Sequence, residues 1–264
     1  MRMKYIAMLS GGQDSTAMTL RLLELGQPVD YIVFSDTTLE FDEMYEYIDK
    51  LDAFFQRKYG IAITRLKPKS SYESWVFGEI SERGERAGQI RGISPIIDMC
   101  YWRREAKEYP LNRWIKEQGI TEYKNYIGYT FQEVERWKNK EQYNQIHPLV
   151  EWKWNEPDVQ KYLKENMMEN KLYQDFNRTG CGICQKQNIE AKYQLYKKYP
   201  KQWDYMVDIE TRLFNERTTR GEGIRPSFHT TMFTWDMEKL FKQKDKQGTF
   251  EFEFEEVQDC FCKI

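Results

Sequence analysis

The chain has 264 residues, 40% of them apolar and 16% aromatic, and its 40 basic against 42 acidic side chains leave a formal net charge of −2. A chain of this length buries one substantial core and a smaller appendage. The pattern excludes a membrane-spanning helix, since no apolar run approaches about eighteen residues, and the charge excludes a global polyanion-binding signature.

No charged segment followed by an apolar stretch opens the sequence, so the expected compartment is the cytoplasm. The sequon Asn177-Arg-Thr179 is then read as chance. Tyr5 to Leu9 and Val29 to Phe34 are short, nearly continuous apolar runs, the pattern of strands buried on both faces of a parallel sheet. Between them Met18, Leu22 and Leu25 recur at helical spacing, with Gly26 and Pro28 as a stop. A second helix is predicted over Asp42 to Tyr59, with Met44, Ile48, Leu51 and Phe55 on one stripe and Gly60 behind it, followed by a strand at Ile61 to Leu66. This alternation predicts an α/β fold with a parallel sheet and right-handed strand–helix–strand connections.

Residues 67 to 98 are polar, glycine-rich and weakly periodic, and are read as a functional loop or lid. A helix is expected from near Met99, kinked or divided by Pro110, and a strand at Lys124 to Thr130. Asn155-Glu-Pro-Asp158 reads as a helix start, and the chain is mainly helical from there to Lys246. The tail FEFEFEE alternates with period two and reads as a strand. The expected division is a domain built on the sheet at 1–155 and a helical portion at 156–264 that carries a cysteine metal site.

Between the first strand and its helix lies Ser10-Gly-Gly-Gln-Asp-Ser-Thr16. Ligands of α/β sheets bind at the carboxyl ends of the strands. Glycines there let the backbone approach an anion closely, and the following helix offers amide donors at its positive end. Ser10 and Ser15 add hydroxyl donors. Asp14 does not favour a bare phosphate and is better suited to holding Mg²⁺.

The stretch resembles the SGGxDS pyrophosphate-binding loop of the PP-loop ATP pyrophosphatases, which implies a five-stranded parallel nucleotide-binding sheet with helices on both faces. That resemblance implies binding of ATP through Ser10, Gly11, Gly12, Gln13, Asp14 and Ser15, adenylation of a substrate oxygen and release of pyrophosphate. Three further stretches are similar to the phosphoadenosine phosphosulfate (PAPS) reductase family within that group. They are Phe34-Ser-Asp-Thr-Thr-Leu-Glu-Phe41, with Thr38 in place of a glycine; Arg91 to Pro95 through Cys100, Lys107, Pro110-Leu111 and Arg113; and His147 to Trp152, Asp158-Val159 and Arg178 to Cys184. Sulfonucleotide reductases carry an altered phosphate loop and a C-terminal ECG-like cysteine motif. Here the loop is intact and the tail reads Asp259-Cys-Phe-Cys262. The loop also resembles that of 7-cyano-7-deazaguanine synthases, which have four closely spaced zinc cysteines where this chain has one CxxC.

Five cysteines in a reducing compartment argue for metal or redox chemistry. Cys181-Gly-Ile-Cys184 places two thiolates within reach of one metal. Cys100 and one of Cys262 or Cys260 can complete four ligands, because neighbours two apart in an extended tail point to opposite sides. Four thiolates suit zinc or a [4Fe-4S] cluster, and the resemblance favours the cluster. Unligated thiols are the alternative.

Asp36 ends the second strand, where the resemblance implies a nucleotide contact and a helix cap is the alternative. Gly128 ends another strand, where it lets a nucleotide pass close or marks a turn. Arg136 clamps a phosphate or pairs with Glu133 one turn away. Arg91, Arg103, Arg104 and Arg113 with Tyr101, Trp102 and Trp114 make a basic, aromatic stretch, read as a nucleic-acid face or as a helix with its aromatics in a core. His147 and His229 receive no role.

The resulting expectation is an ATP-dependent enzyme that adenylates a transfer RNA, DNA or small-molecule substrate for sulfur transfer. Asp14 and Arg136 are its catalytic candidates. A sulfur donor protein and a homo-oligomer or larger complex are its expected partners. The alternatives are a sulfonucleotide reductase and an ATP-binding subunit without turnover.

Overall fold

A computed structural model describes residues 2–82, 84–93, 100–138 and 144–247. The expected tail strand, Cys260 and Cys262 lie outside them. Among the described residues the chain forms two compact units, one of residues 2–68 and 105–180 and the other of 69–104 and 181–247. The division therefore does not fall at residue 155. Residues 156–180 stay with the sheet, and the chain leaves it for an excursion between Lys69 and Arg104.

The first unit begins with β1 (Lys4–Met8), α1 (Gln13–Glu24), β2 (Tyr31–Ser35), α2 (Asp42–Tyr59) and β3 (Ile63–Leu66). In the second unit follow α3 (Tyr72–Phe77) and α4 (Tyr101–Arg103). The first unit resumes with α5 (Tyr109–Glu117), β4 (Tyr123–Tyr126), α6 (Val134–Trp137), β5 (Gln145–Ile146), α7 (Pro148–Glu151) and α8 (Glu156–Glu165). The second is completed by α9 (Ile189–Lys198), α10 (Pro200–Thr219) and α11 (Thr234–Gln247).

The five strands are all parallel, in the order β3-β2-β1-β4-β5. From β1 the chain builds outward through β2 to β3, then returns to set β4 on the other side of β1, with Ile6 paired to Tyr31 on one flank and Asn125 on the other. The carboxyl ends of β1 and β4 thus border the topological switch point of the sheet, where ligands bind in open α/β folds.

One sheet face carries Ile6, Met8, Val33, Leu66, Ile127 and Tyr129, packed against Leu111, Trp114 and Ile115 of α5. Trp114 meets the Tyr31 ring edge-on at 5.0 Å. α2 buries Met44, Tyr47, Ile48, Leu51 and Phe55, starts with Asp42 and Glu43, and stops at Gly60 in the left-handed region, as its stripe and glycine predict. α1 packs on α7 and α8. α8 opens as its sequence predicts, with the Asn155 N–H donating to Asp158 Oδ2 at 3.0 Å and Pro157 in its first turn.

Pro110 divides its helix as expected. It sits in the first turn of α5, and the preceding turn, Arg104–Glu108, is wound as a π-helix, which accommodates a proline without an N–H and a ring that crowds the turn before it.

Residues 67–98 are not a plain loop. Their described part supplies α3, the 3₁₀ turn Gly84–Arg86 and buried Trp75, Val76, Ile90 and Ile93 to the second unit. Its apolar residues lie in pieces too short for a period to show. In that unit α10 packs on α9 and α11, around a fully buried Phe241 ringed by Tyr193, Tyr196 and Trp203 at 5.3–5.6 Å. The buried Glu210 ties the start of α11 to the preceding turn by accepting the Thr234 N–H at 2.5 Å and the Ser227 N–H at 2.6 Å.

Ile6 is fully buried at the centre of the sheet core. Ile6→Ala is expected to cost about 3 kcal/mol in urea denaturation; a loss below about 1 kcal/mol would contradict this core.

Candidate functional site

The SGGQDST turn leaves β1 at the switch point and enters α1 through a cage of short hydrogen bonds. The Ser15 hydroxyl accepts the Ser10 N–H at 3.1 Å, donates to the Gly12 carbonyl at 3.1 Å and lies 3.0 Å from Ser10 Oγ. Ser10 Oγ also lies 3.3 Å from the Gly12 N–H, which donates to it. Both serines therefore fix the turn itself. Gly12 is the N-cap residue of α1 without a side-chain cap, and Asp14 lies in the first turn, half-buried, where the helix dipole favours a carboxylate.

Gly11 has φ +76, and a Cβ there would stand 2.3 Å from Met44 Sδ of α2. No side chain fits. Gly128, just beyond β4, is used similarly: a Cβ on it would stand 2.8 Å from the Ser15 N and 2.9 Å from the Asp14 carbonyl carbon. The close approach that Gly128 permits is that of the first turn of α1.

Two residues the sequence reading did not single out hold the turn from the far side. Asn170, buried, donates to the Gly11 carbonyl at 3.0 Å and accepts the Leu172 N–H at 3.0 Å. Tyr173 presents its hydroxyl oxygen to the Gln13 N–H at 3.1 Å, so an oxygen already sits at the positive end of α1. The segment is anchored to α2 by Tyr47, whose hydroxyl donates to the Met168 carbonyl at 2.6 Å; desolvation pushes the Tyr47 phenol up and keeps it protonated.

At the end of β2, Asp36 is buried and caps its own turn. Its Oδ1 accepts the Thr38 N–H and the Tyr45 hydroxyl, each at 2.8 Å, and Lys67 lies 3.5 Å from Oδ2. It is not a helix cap, since Phe41 occupies that position of α2. Thr38 has φ +62, so the glycine missing from the resemblance falls where a β-branched residue is strained by about 1–2 kcal/mol. Nearby, desolvation pushes the Glu40 carboxyl up against the pull of Lys107 and of Thr37, whose hydroxyl donates to it at 2.6 Å.

Beyond β4, Arg136 donates to Glu133 at 2.7 Å, and Glu133 in turn accepts the Thr130 N–H at 2.9 Å and its hydroxyl at 3.1 Å. The arginine is 14% exposed and is tied to the strand end through this pair. His147, which follows β5, packs its ring 5.4 Å from that of Tyr129. Burial holds its pKa below the usual histidine range.

In the second unit, Cys100, Cys181 and Cys184 are half-buried cysteines. Their neighbour is the buried Tyr72, whose phenol is pushed well above its usual range by desolvation and then by charge on Cys100, Cys181, Tyr205 and Cys184. Tyr72 packs edge-on at 5.1 Å against Trp102, two residues after Cys100. The Cys184 N–H donates to the Cys181 carbonyl at 3.0 Å, and the buried Lys192 reaches from α9 to the Gln185 and Gln187 carbonyls just beyond. A thiol-only donor set suits a soft metal. Among the described residues, however, no three His, Cys, Asp or Glu side chains are placed to hold one ion.

The basic, aromatic stretch does not form one face. Trp102 and Trp114 are buried and belong to different units, while Arg91 pairs with Glu79 at 2.8 Å and Arg113 donates to the Lys67 carbonyl at 3.1 Å. No described helix is long and apolar enough to cross a membrane.

Residues 4–187 match the family model of the phosphoadenosine phosphosulfate reductase domain. The chain belongs to this family. The matched segment of the PAPS reductase domain contains the SGGQDST turn and three of the five cysteines. The chain is 30% identical over 226 residues to an uncharacterized protein of Methanocaldococcus jannaschii, covering 81% of this chain and 42% of that protein. It is 29% identical over 168 residues to adenosine 5'-phosphosulfate reductase 2 of Bacillus subtilis, covering 58% of this chain and 61% of that enzyme. It thus spans less than two thirds of either relative. Solved structures similar to it include phosphoadenylyl-sulfate reductase from Candida auris in its phosphate complex, with TM-score 0.42, 18% identity and coverage of 67% of this chain and 80% of that one. Another is the U34-tRNA thiolase NcsA from Methanococcus maripaludis with its [4Fe-4S] cluster, with TM-score 0.43, 16% identity and coverage of 90% and 81%.

Gly128→Ala puts a methyl group against the backbone of α1 and is expected to destabilise the protein by about 1–3 kcal/mol. Gly180→Ala, whose methyl meets nothing within 4 Å, is expected to be neutral. Thermal denaturation of the two variants checks both; equal midpoints would contradict the packing at Gly128.

Proposed function

We propose that the protein is an ATP-using member of the PAPS reductase domain family that adenylates its substrate and releases pyrophosphate, as the first step of sulfur transfer to a nucleic acid or a small molecule. The observation that carries this reading is the intact glycine turn at the switch point, held open at the positive end of α1 by Gly11, Gly12 and Gly128. A substrate oxygen attacks the α-phosphorus of ATP, the bond from that phosphorus to the bridging oxygen breaks, and pyrophosphate leaves with the electron pair. A sulfur nucleophile then displaces AMP.

In this reading the amides of the Ser10–Ser15 turn and of α1 receive the pyrophosphate end, displacing the Tyr173 oxygen from Gln13, and stabilise the charge that develops on the leaving group. Asp14 would hold Mg²⁺. Arg136, kept near the end of β4 by Glu133, would contact a phosphate oxygen. Asp36 and Gly128 border the nucleotide.

Cys100, Cys181 and Cys184, with Cys262 or Cys260, would hold a [4Fe-4S] cluster, or zinc in its place. When bound, such a cluster supplies thiophilic, redox-active iron. The chain's own part there is to present thiolates beside Tyr72, on a turn fixed by Lys192. A transfer RNA or DNA acceptor, a sulfur donor protein and assembly into an oligomer or larger complex belong to the same proposal.

A sulfonucleotide reductase is a second reading, favoured by the 29% identity to the Bacillus subtilis reductase. It needs a tail cysteine as nucleophile and works without ATP.

Pyrophosphate release with candidate acceptors separates the two. Asp14→Ala is expected to lower it at least about a hundredfold, the range for losing a group that stabilises developing charge. Turnover equal to the unaltered protein's would sink the loop reading, and ATP-independent turnover lost on altering Cys260 or Cys262 would favour the reductase.

A further inference from the structure

The segment that holds the glycine turn from the far side carries a side chain that already occupies one of the turn's amides. Lys171–Gln174 is a 3₁₀ turn opened by Asn170, and its backbone is fixed on both sides of Tyr173. The Tyr173 N–H donates to the Asn170 carbonyl at 3.2 Å, and the Phe176 N–H donates to the Leu172 carbonyl at 3.0 Å. Leu172 and Phe176 are buried, and the Phe176 ring packs 5.2 Å from that of Phe41. With the chain held in this way, rotation of its side chain is the freedom left to the Tyr173 ring.

The Tyr173 hydroxyl accepts the Gln13 N–H at 3.1 Å and lies 3.4 Å from Thr179 Oγ1. Gln13 is the first residue of α1, so its N–H is one of the amides for which the helix itself has no acceptor. Gly12 makes room for the contact. A Cβ there would stand 3.2 Å from the Tyr173 hydroxyl oxygen, 3.3 Å from Ser10 Oγ and 3.6 Å from Thr179 Oγ1. Three hydroxyl oxygens thus gather over Gly12, where an anion drawn to the positive end of α1 would set its own oxygens.

Exchanging one acceptor for another has a definite sign. The phenol oxygen is a neutral acceptor, whereas a phosphate oxygen is charged and its hydrogen bond to an amide is roughly twice as strong. A charged oxyanion therefore evicts the hydroxyl, and a neutral hydroxyl or water gains nothing by doing so. Every ligand that needs the Gln13 amide meets the same competitor, and its apparent affinity falls with the fraction of molecules in which the amide is taken. A ligand that does not reach this amide is indifferent to Tyr173.

We propose that Tyr173 is a built-in competitor at the phosphate seat, which keeps the Gln13 amide closed to neutral ligands and yields it to the charged pyrophosphate end of a nucleotide. This deepens the ATP reading and rests on it. Tyr173 is on this account a specificity-determining residue: it satisfies the amide in the empty protein and competes for it again when pyrophosphate leaves.

The test is Tyr173→Phe in the full chain, which keeps the ring with its packing and removes only the oxygen. Calorimetric titration with Mg·pyrophosphate is expected to show about fivefold tighter binding by the variant, the effect of losing one competing neutral hydrogen bond, and titration with AMP to show no change. In ligand-free buffer the Gln13 amide is expected to exchange with deuterium faster in the variant, and the two proteins are expected to become alike at saturating Mg·pyrophosphate. Pyrophosphate affinities within about twofold of each other would overturn the competition. Weaker binding by the variant would also overturn it, by making the hydroxyl a donor to the anion. In both cases the ATP reading stands, because the unaltered protein binds. An equal gain for AMP would reveal a loosened turn and would overturn the proposal as well. Failure of both proteins to bind Mg·pyrophosphate and Mg·ATP would remove the ATP reading itself, and this inference with it.

Discussion

Everything at the proposed nucleotide site depends on backbone approaching backbone without side chains between. Gly11 leaves room for Met44, and Gly128 leaves room for the first turn of α1. A side chain at either position would push α1 away from the end of β1 and spoil the alignment of its first amides. Ser10 and Ser15 then spend their hydroxyls on the turn, which fixes its shape before any ligand arrives. Such preorganisation is what electrostatic stabilisation of a leaving group requires, because no reorganisation is left for the moment of reaction. The buried Asn170 and the Tyr47–Met168 bond hold the turn against α2 from the other side.

Much of this was legible in the sequence because the signals are local. The runs at Tyr5 to Leu9 and Val29 to Phe34 are apolar without alternation, which only a strand covered on both faces needs, and the stripe from Met44 to Phe55 has a helix period bounded by Gly60. The turn was legible because its chemistry is packed into seven consecutive residues. Other features carried no such mark. β5 consists of Gln145 and Ile146, too short and too polar for a period to show. Asn170 and Tyr173 act on residues 159 and 160 positions away, and a lone asparagine or tyrosine in a polar stretch says nothing of that distance. The excursion between Lys69 and Arg104 looked like a loop because its buried residues, Trp75, Val76, Ile90 and Ile93, are divided among short elements.

The cysteines of the second unit illustrate a different limit. Cys181-Gly-Ile-Cys184 names a chemistry by its spacing, and the structure sets these thiols and Cys100 beside one buried phenol. Cys100 lies 81 positions before Cys181, so these donors are gathered by tertiary structure rather than by sequence.

The central claim is that the glycine turn receives the pyrophosphate end of ATP. Equilibrium titration of the full chain with Mg·ATP, Mg·pyrophosphate and AMP tests it most directly. The account predicts that the first two bind and that AMP, which lacks the β- and γ-phosphates, binds at least about tenfold more weakly through loss of charge-assisted hydrogen bonds to the turn. AMP binding as tightly as Mg·ATP, with no binding of pyrophosphate, would contradict it.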